Sequence, residues 1–472
     1  MLTRFLSAFL LSFWCSGIAL ADTLPPAIAQ SLKNAGIPAS AVGILAQRLD
    51  EPRPRLSVNA EQALNPASTI KLVTTFAALE RLGPAYTWQT EAWINGTLSN
   101  GLLEGDLHLR GGGDPRLTHE QFGRLLRQLR QRGVQEIRGD LVLDRSAFEL
   151  PETDPGSFDA QPLRPYNVAP DALLVNFNAI SLTLTPDVGG GGVGLTQEPP
   201  VATLDLINKL HVTAGNGCGD WRENLRADTF THGNTVRLVL SGNYPAACGE
   251  QRWNIAPMPA RLFAFGVFRS LWEELGGKFA GNLRDGDVPA AARRIAVLPA
   301  PTLAEVVRDI NKFSNNVMAR QLFLSLAMAT GKRPARVEDA DRVLRDWLAE
   351  RGLNFPELVL ENGSGLGRQA RISAANLARL LQAGWRSAVM PELMSSLPVV
   401  AVDGTMRKRL KENGVAGQAH IKTGSLEGVK SIAGYLLDRS GRRWVVVFLV
   451  NHPKSAAAGA AQDALLEWAY AQ

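Results

Sequence analysis

Cysteine is scarce in this chain: three in 472 residues, alongside six histidines and five tyrosines. The histidines (His108, His119, His211, His232, His420 and His452) show no close metal-ligand pairing, which argues against a zinc peptidase. Charge of one sign is also lacking, since 50 Lys and Arg stand against 45 Asp and Glu, a net of +5. No Lys/Arg block carries interleaved aromatics, so no nucleic-acid partner is expected. A mean hydropathy of −0.04, with 45% apolar and 20% charged residues, excludes a multi-span membrane protein. No repeat of fixed period is visible, against a solenoid. Gly189 to Gly192 has no following Gly-Lys-Ser/Thr, so a phosphate cradle is not expected. What is present is an ordinary globular composition, long enough for roughly three domains at about 150 residues each.

The first 21 residues read as a cleavable secretory signal. Arg4 is their only charge, Phe5 to Leu20 is largely apolar, and Ala19-Leu20-Ala21 supplies small residues before Asp22. The rival is an uncleaved anchor, although the span is shorter than the ~20 residues a bilayer needs. Bulky Phe13-Trp14 before Cys15 argues against lipoprotein processing. Export to the periplasm follows, and with Cys15 removed an even pair remains, Cys218 and Cys248, which oxidising conditions favour joining. The alternative is two buried thiols. Gly217, Gly219 and Gly249 beside them suggest turns.

Ala41 to Leu45 reads as a strand, and Pro66 leads into a helical stretch through Glu80 that carries Ser68 in its opening turns. From about residue 86 to 250 short alternating runs broken by Gly and Asn suggest β-rich inserted material. Helical periodicity returns at Ala260 to Leu275, Leu303 to Leu326 and Ala340 to Ala349. Val429 to Leu437 and Trp444 to Val450 then flank the turn Asp438-Arg439-Ser440-Gly441, and Ala456 to Ala471 reads as a closing helix.

Ser68 is the only serine with a lysine three residues later, and helical spacing puts Ser68 and Lys71 on one face. A hydroxyl attacks carbonyls poorly until a base takes its proton, and an amine can do so only if its pKa falls from about 10.4 toward neutrality. Burial and a second cation both push it down. Lys422-Thr423-Gly424-Ser425 supplies the chain's only Lys-Ser/Thr-Gly, at the start of a hairpin. There Lys422 and Thr423 can hold a substrate carboxylate, and Gly424 lets substrate backbone come close. Ser-x-Asn occurs three times, at Ser57, Ser241 and Ser314; the last interrupts two helical runs and lies between the other motifs, so Ser314 and Asn316 are taken.

Serine-x-x-lysine, serine-x-asparagine and lysine-threonine-glycine, in that order, resemble the signature of penicillin-binding proteins and serine β-lactamases. Gly111-Gly112-Gly113-Asp114-Pro115, Glu361-Asn362-Gly363-Ser364-Gly365-Leu366 and Val402-Asp403-Gly404-Thr405-Met406 are similar to the D-alanyl-D-alanine carboxypeptidase/endopeptidase branch, the class C low-molecular-mass penicillin-binding proteins. The resemblance implies an α+β fold: a split transpeptidase/β-lactamase-like domain, its antiparallel sheet flanked by helices, with a large β-rich insertion. The expected division is 22–95 and 256–472 for the split domain, with 96–255 inserted. It further implies a serine DD-peptidase acting on peptidoglycan stem peptides, acylated by β-lactams, with Ser68 as nucleophile, Lys71 as base, Ser314 and Lys422 relaying the proton, Asn316 orienting, Thr423 binding carboxylate, and the N–H groups of Ser68 and Ser425 forming an oxyanion hole. No metal or organic cofactor is implied. Glu350-Arg351-Gly352-Leu353-Asn354 matches the loop that activates deacylating water in class A β-lactamases, but the match is taken as coincidence: Glu350 has an ordinary place on the last turn of a helix capped by Gly352, and the long insertion does not suit a class A enzyme. Arg368 is either a contact for a stem carboxylate or a surface residue; Asp144 is similarly ambiguous.

Overall fold

The computed structural model describes residues 23–472 except Val188 and Asn216; the expected signal segment lies outside the described residues. Among the described residues no helix is long and apolar enough to cross a membrane.

A five-stranded antiparallel sheet forms the centre of the body, ordered Ala419–Leu426, Val429–Leu437, Arg443–Asn451, Val42–Arg48, Leu56–Val58. The strand Arg443–Asn451 is buried along nearly all its length because helices cover both faces. Its side chains alternate between two cores. Val445, Val447 and Leu449 pack with Phe76 and Leu377, whereas Trp444, Val446, Phe448 and Val450 pack with Ile28, Leu32 and Leu465. Pairing of Val42 with Val450 and of Arg48 with Trp444 joins the two ends of the chain. The expected hairpin closes through Asp438, whose Oδ1 accepts the backbone N–H groups of Ser440 and Arg442 at 2.9 Å each.

Pro66 precedes a 3₁₀ turn, Ala67–Ile70, that runs straight into the helix Lys71–Leu82. Three other expected helices span Ala260–Glu274, Val337–Glu350 and Gly459–Tyr470. The periodic stretch beginning at Leu303 is two helices, Leu303–Phe313 and Asn316–Met328. A capping box of Thr302 and Glu305 opens the first, and Ser314 ends it in the left-handed region at φ 56°. Asn315 then caps the second by accepting from Met318 N.

The β-rich region has its own core, running from Ala92 to Leu298. Gln89–Ser99, Leu102–Arg110 and Arg293–Pro299 belong to one seven-stranded sheet, and two three-stranded sheets follow between residues 180 and 255. Packing moves the expected boundary at 255 outward. Phe263, Phe268 and Trp272 of the helix Ala260–Glu274 lie in this core, and Arg293–Pro299 pairs with Gln89–Ser99. Helical periodicity says that a face is buried but not which core buries it. Cys218 and Cys248 are joined in a disulfide within this region.

Candidate active site

The turn that carries Ser68 is held from several sides. Ala67 sits at φ 46°, an unfavourable conformation for a residue with a Cβ. Its N–H donates to Asn65 Oδ1 at 2.8 Å, and Asn65 is itself tied to Asn451 of the central sheet. Ser431 Oγ and Thr69 Oγ1 both donate to the Pro66 carbonyl, at 2.6 and 2.8 Å. Gly365, at φ 76°, brings the loop 361–367 against this turn; a Cβ there would stand 2.1 Å from the Ala67 carbonyl oxygen.

Lys71, fully buried, directs Nζ to Ser68 Oγ at 2.9 Å, Asn316 Oδ1 at 2.6 Å and the Ser364 carbonyl. Two of these partners can only accept, whereas the serine hydroxyl can also donate. A neutral amine, with two N–H bonds and one lone pair, therefore fits all three. Burial above all, then the charges of Lys422 and Arg320, hold Lys71 well below the ordinary lysine range.

Lys422 lies in the edge strand Ala419–Leu426, also fully buried, and donates to Ser314 Oγ at 2.8 Å and the Thr423 carbonyl at 2.7 Å. Burial lowers its pKa to about 7. Thr423 Oγ1 bonds Thr405 Oγ1 at 2.7 Å. The stretch 403–406 is anchored by Asp403, which ion-pairs with Lys312 two residues before Ser314. Gly424 faces the turn that carries Ser68: a Cβ on it would stand 2.2 Å from Ser431 Oγ and 2.9 Å from Ser68 N.

Ser68, Ser314, Asn316, Thr423 and Ser425 thus meet at one cleft of 1120 Å³, with the two lysines buried behind it. The other Ser-x-Asn candidates lie elsewhere, Ser57 on a strand of the central sheet and Ser241 on a strand of the insert. The Cys218–Cys248 disulfide is not part of the cleft. Sequence reasoning assigned no role to the Ser364 carbonyl, Thr405 or Asn65. The first two sit in stretches quoted only for their resemblance, and a carbonyl contact leaves no side-chain signature. Residues of the insert, among them His119, Phe158, Tyr166 and Trp253, form a further wall. Arg368 also lines the cleft, its guanidinium 4.7 Å from the Phe158 ring centroid and 3.4 Å from a Glu427 carboxylate oxygen. Asp144 is buried, and its carboxylate accepts from Ser146 and the Val288 N–H, a purely local use. Glu350 ion-pairs with Arg81, is 59% exposed, and does not line the cleft.

Residues 24–472 match the D-Ala-D-Ala carboxypeptidase 3 (S13) family. The chain belongs to that family. It is 26% identical to the D-alanyl-D-alanine carboxypeptidase DacB of Haemophilus influenzae, over 87% of this chain and 85% of that one. It is 30% identical to the D-alanyl-D-alanine carboxypeptidase of Actinomadura sp. (strain R39), over 86% and 76%. The crystal structure of penicillin binding protein 4 (dacB) from Haemophilus influenzae has the same fold, with a TM-score of 0.80 at 24% identity over 94% of this chain and 99% of that one. The expected α+β class with an insertion is the observed one.

Proposed function

We propose that this S13-family protein removes the terminal D-Ala from peptidoglycan stem peptides through an acyl-enzyme on Ser68, cleaves D-Ala cross-links by the same route, and is acylated there by β-lactams. The observation that carries this reading is the buried Lys71 amine, depressed below its ordinary protonation, 2.9 Å from the Ser68 hydroxyl.

Lys71 takes the hydroxyl proton as Ser68 Oγ attacks the carbonyl of the penultimate D-Ala. The N–H groups of Ser68 and Ser425 receive the developing oxyanion, worth about 3 to 4 kcal/mol per donor. The C–N bond then breaks, and the proton reaches the leaving amine through Ser314 and Lys422, which are already hydrogen-bonded to each other at 2.8 Å. Asn316 orients Lys71 and the substrate amide, Thr423 binds the terminal carboxylate, and Gly424 admits the substrate backbone. Water adds to the ester carbonyl and releases the shortened peptide with Ser68 restored. A cleft of 1120 Å³ exceeds the ~300–1,000 Å³ that a drug-sized ligand fills, which supports the bulkier cross-linked substrate. On this reading residues 1–21 are removed on export to the periplasm, residues 89–299 form the insert, and the remainder forms the split catalytic body.

Intact-mass analysis after incubation with benzylpenicillin tests the proposal. One stable adduct is expected, lost in Ser68→Ala. Unmodified wild-type protein that still cleaves D-Ala-D-Ala peptides refutes it.

A further inference from the structure

Phe313 is a large apolar side chain that stands in water at the catalytic cleft. It is 66% exposed and lines the cleft together with Ser314, Asn316, Thr405 and Thr423. It ends the helix Leu303–Phe313, in which Leu303, Val306, Val307 and Ile310 are fully buried at the spacing of one helical face. Phe313 is one step further along that face. The helix stops there, and Ser314 turns the chain in the left-handed region at φ 56°, so the apolar stripe runs past the end of the core and into the cleft.

Both chain neighbours fix the ring's place on the rim. Lys312, before it, is buried and ion-pairs with Asp403 at 2.6 Å, and its carbonyl oxygen lies so near Gly404 that a Cβ there would stand 2.6 Å away. Thr405, the next residue of that loop, bonds Thr423 at 2.7 Å. Ser314, after the ring, accepts from Lys422 Nζ at 2.8 Å. Phe313 is therefore held at the end of the cleft where the proposed reaction puts its leaving group, with Ser314 and Lys422 to protonate the amine and Thr423 to bind the carboxylate.

The two leaving groups of that reaction share a carboxylate next to the scissile nitrogen and differ in what else the carbon carries. Terminal D-Ala carries a methyl group; the D-centre of a cross-link carries a methylene chain leading to the second stem. Ser314, Lys422 and Thr423 address only the shared groups and cannot tell the two apart. A methyl offers an aromatic ring little area, whereas a methylene chain lies along it and both surfaces shed water. We propose that Phe313 is a specificity-determining residue: its ring is a platform for the methylene chain of the cross-linked leaving group, and it favours cleavage of cross-links over removal of terminal D-Ala. The inference rests on the acyl-enzyme reading and deepens it by giving the leaving-group end of the cleft a preference.

The test gives two substrates to the wild type, Phe313→Ala and Phe313→Tyr: a cross-linked stem dimer whose only D-Ala–D-centre bond is the cross-link, and a monomeric stem ending in D-Ala-D-Ala. Products are followed by mass spectrometry, and the readout is the ratio of kcat/KM, dimer to monomer. In Phe313→Ala the ratio is expected to fall about tenfold, the low end for losing an apolar contact the size of one methylene. Phe313→Tyr keeps the ring and keeps the ratio. The side chain is exposed, which favours folded variants, and a melting curve on each preparation verifies it. A ratio that holds in folded Phe313→Ala, whether both rates drop together or neither moves, or one that falls as far in Phe313→Tyr, overturns the inference while the acyl-enzyme reading stands. A wild type that binds benzylpenicillin on Ser68 but leaves the dimer uncut overturns the inference and the cross-link half of that reading. If the wild type forms no adduct on Ser68, both fall.

Discussion

Lys71 and Lys422 are both completely buried, and each turns its nitrogen to a different serine hydroxyl, Ser68 at 2.9 Å and Ser314 at 2.8 Å. Two amines facing one cleft from behind cannot both carry full charge at low cost, because each is deprived of water and each disfavours the other's protonation. The pairing supports the proposed base, and it also leaves a signature in the stability of the fold.

That signature appears above neutrality. Lys422 has a folded pKa of about 7 against an ordinary value near 10.5. Between those values the unfolded chain binds the extra proton, so this group makes stability rise with pH through the window and contributes a penalty below it. Replacing Lys422 by Met removes its share and makes the slope shallower, leaving the part that the equally buried Lys71 contributes. Denaturant titrations at several pH values from about 7 to 10 check it; equal slopes in the wild type and the variant contradict the depressed value.

Lys71→Met should leave the fold intact and cut benzylpenicillin acylation by about 10²- to 10⁴-fold, the range for losing a positioned general base. Stopped-flow acylation measures this directly. A loss under tenfold points to a different base.

Gly424→Ala brings a methyl group within 2.2 Å of Ser431 Oγ and 2.8 Å of the Pro66 carbonyl oxygen. Either the edge strand or the Ser68 turn must move, at about 1–3 kcal/mol. Acylation should fall at least tenfold with only a modest drop in melting temperature, and a variant with wild-type rates shows that the two elements are not closely opposed.

Cys218→Ser with Cys248→Ser opens a bridge spanning 30 residues, so stability should fall by about 3 kcal/mol. Neither cysteine lines the cleft, so acylation per folded molecule should be unchanged. Chemical denaturation beside active-site titration separates the two effects.

Glu350→Gln should alter neither deacylation nor, beyond about 1 kcal/mol, stability, because an exposed ion pair with Arg81 is all it makes. A large drop in release of the penicilloyl group would revive the class A β-lactamase comparison.

Several parts of the site were legible in the chain because the chemistry there requires a particular side chain at a particular spacing. Ser68 and Lys71 share a helical turn, and Lys422-Thr423-Gly424 heads a hairpin; both are local patterns. Ser314 was separable from Ser57 and Ser241 only by its place between two helical runs, and the structure gives the reason, a left-handed residue that ends one helix just before Asn315 caps the next. The Ser364 carbonyl and the Asn65–Asn451 clamp were not legible, since backbone acceptors and long-range amide pairs carry no mark of their partners. The end of the insert was missed for a similar reason: the helix Ala260–Glu274 advertises a buried face without naming the core that receives it.

The joining of Val42–Arg48 to Arg443–Asn451 has a consequence for how the molecule matures. Along the chain Ser68 precedes the insert and Lys422 follows it, so a polypeptide delivered N-terminus first presents them in that order. The insert's separate core permits it to fold before the strands that follow it have arrived. Until those strands arrive Ser68 has no sheet behind it and no cation across from it, so partly delivered chains should be blind to penicillin, and reactivity toward the drug serves as a stopwatch for completed assembly.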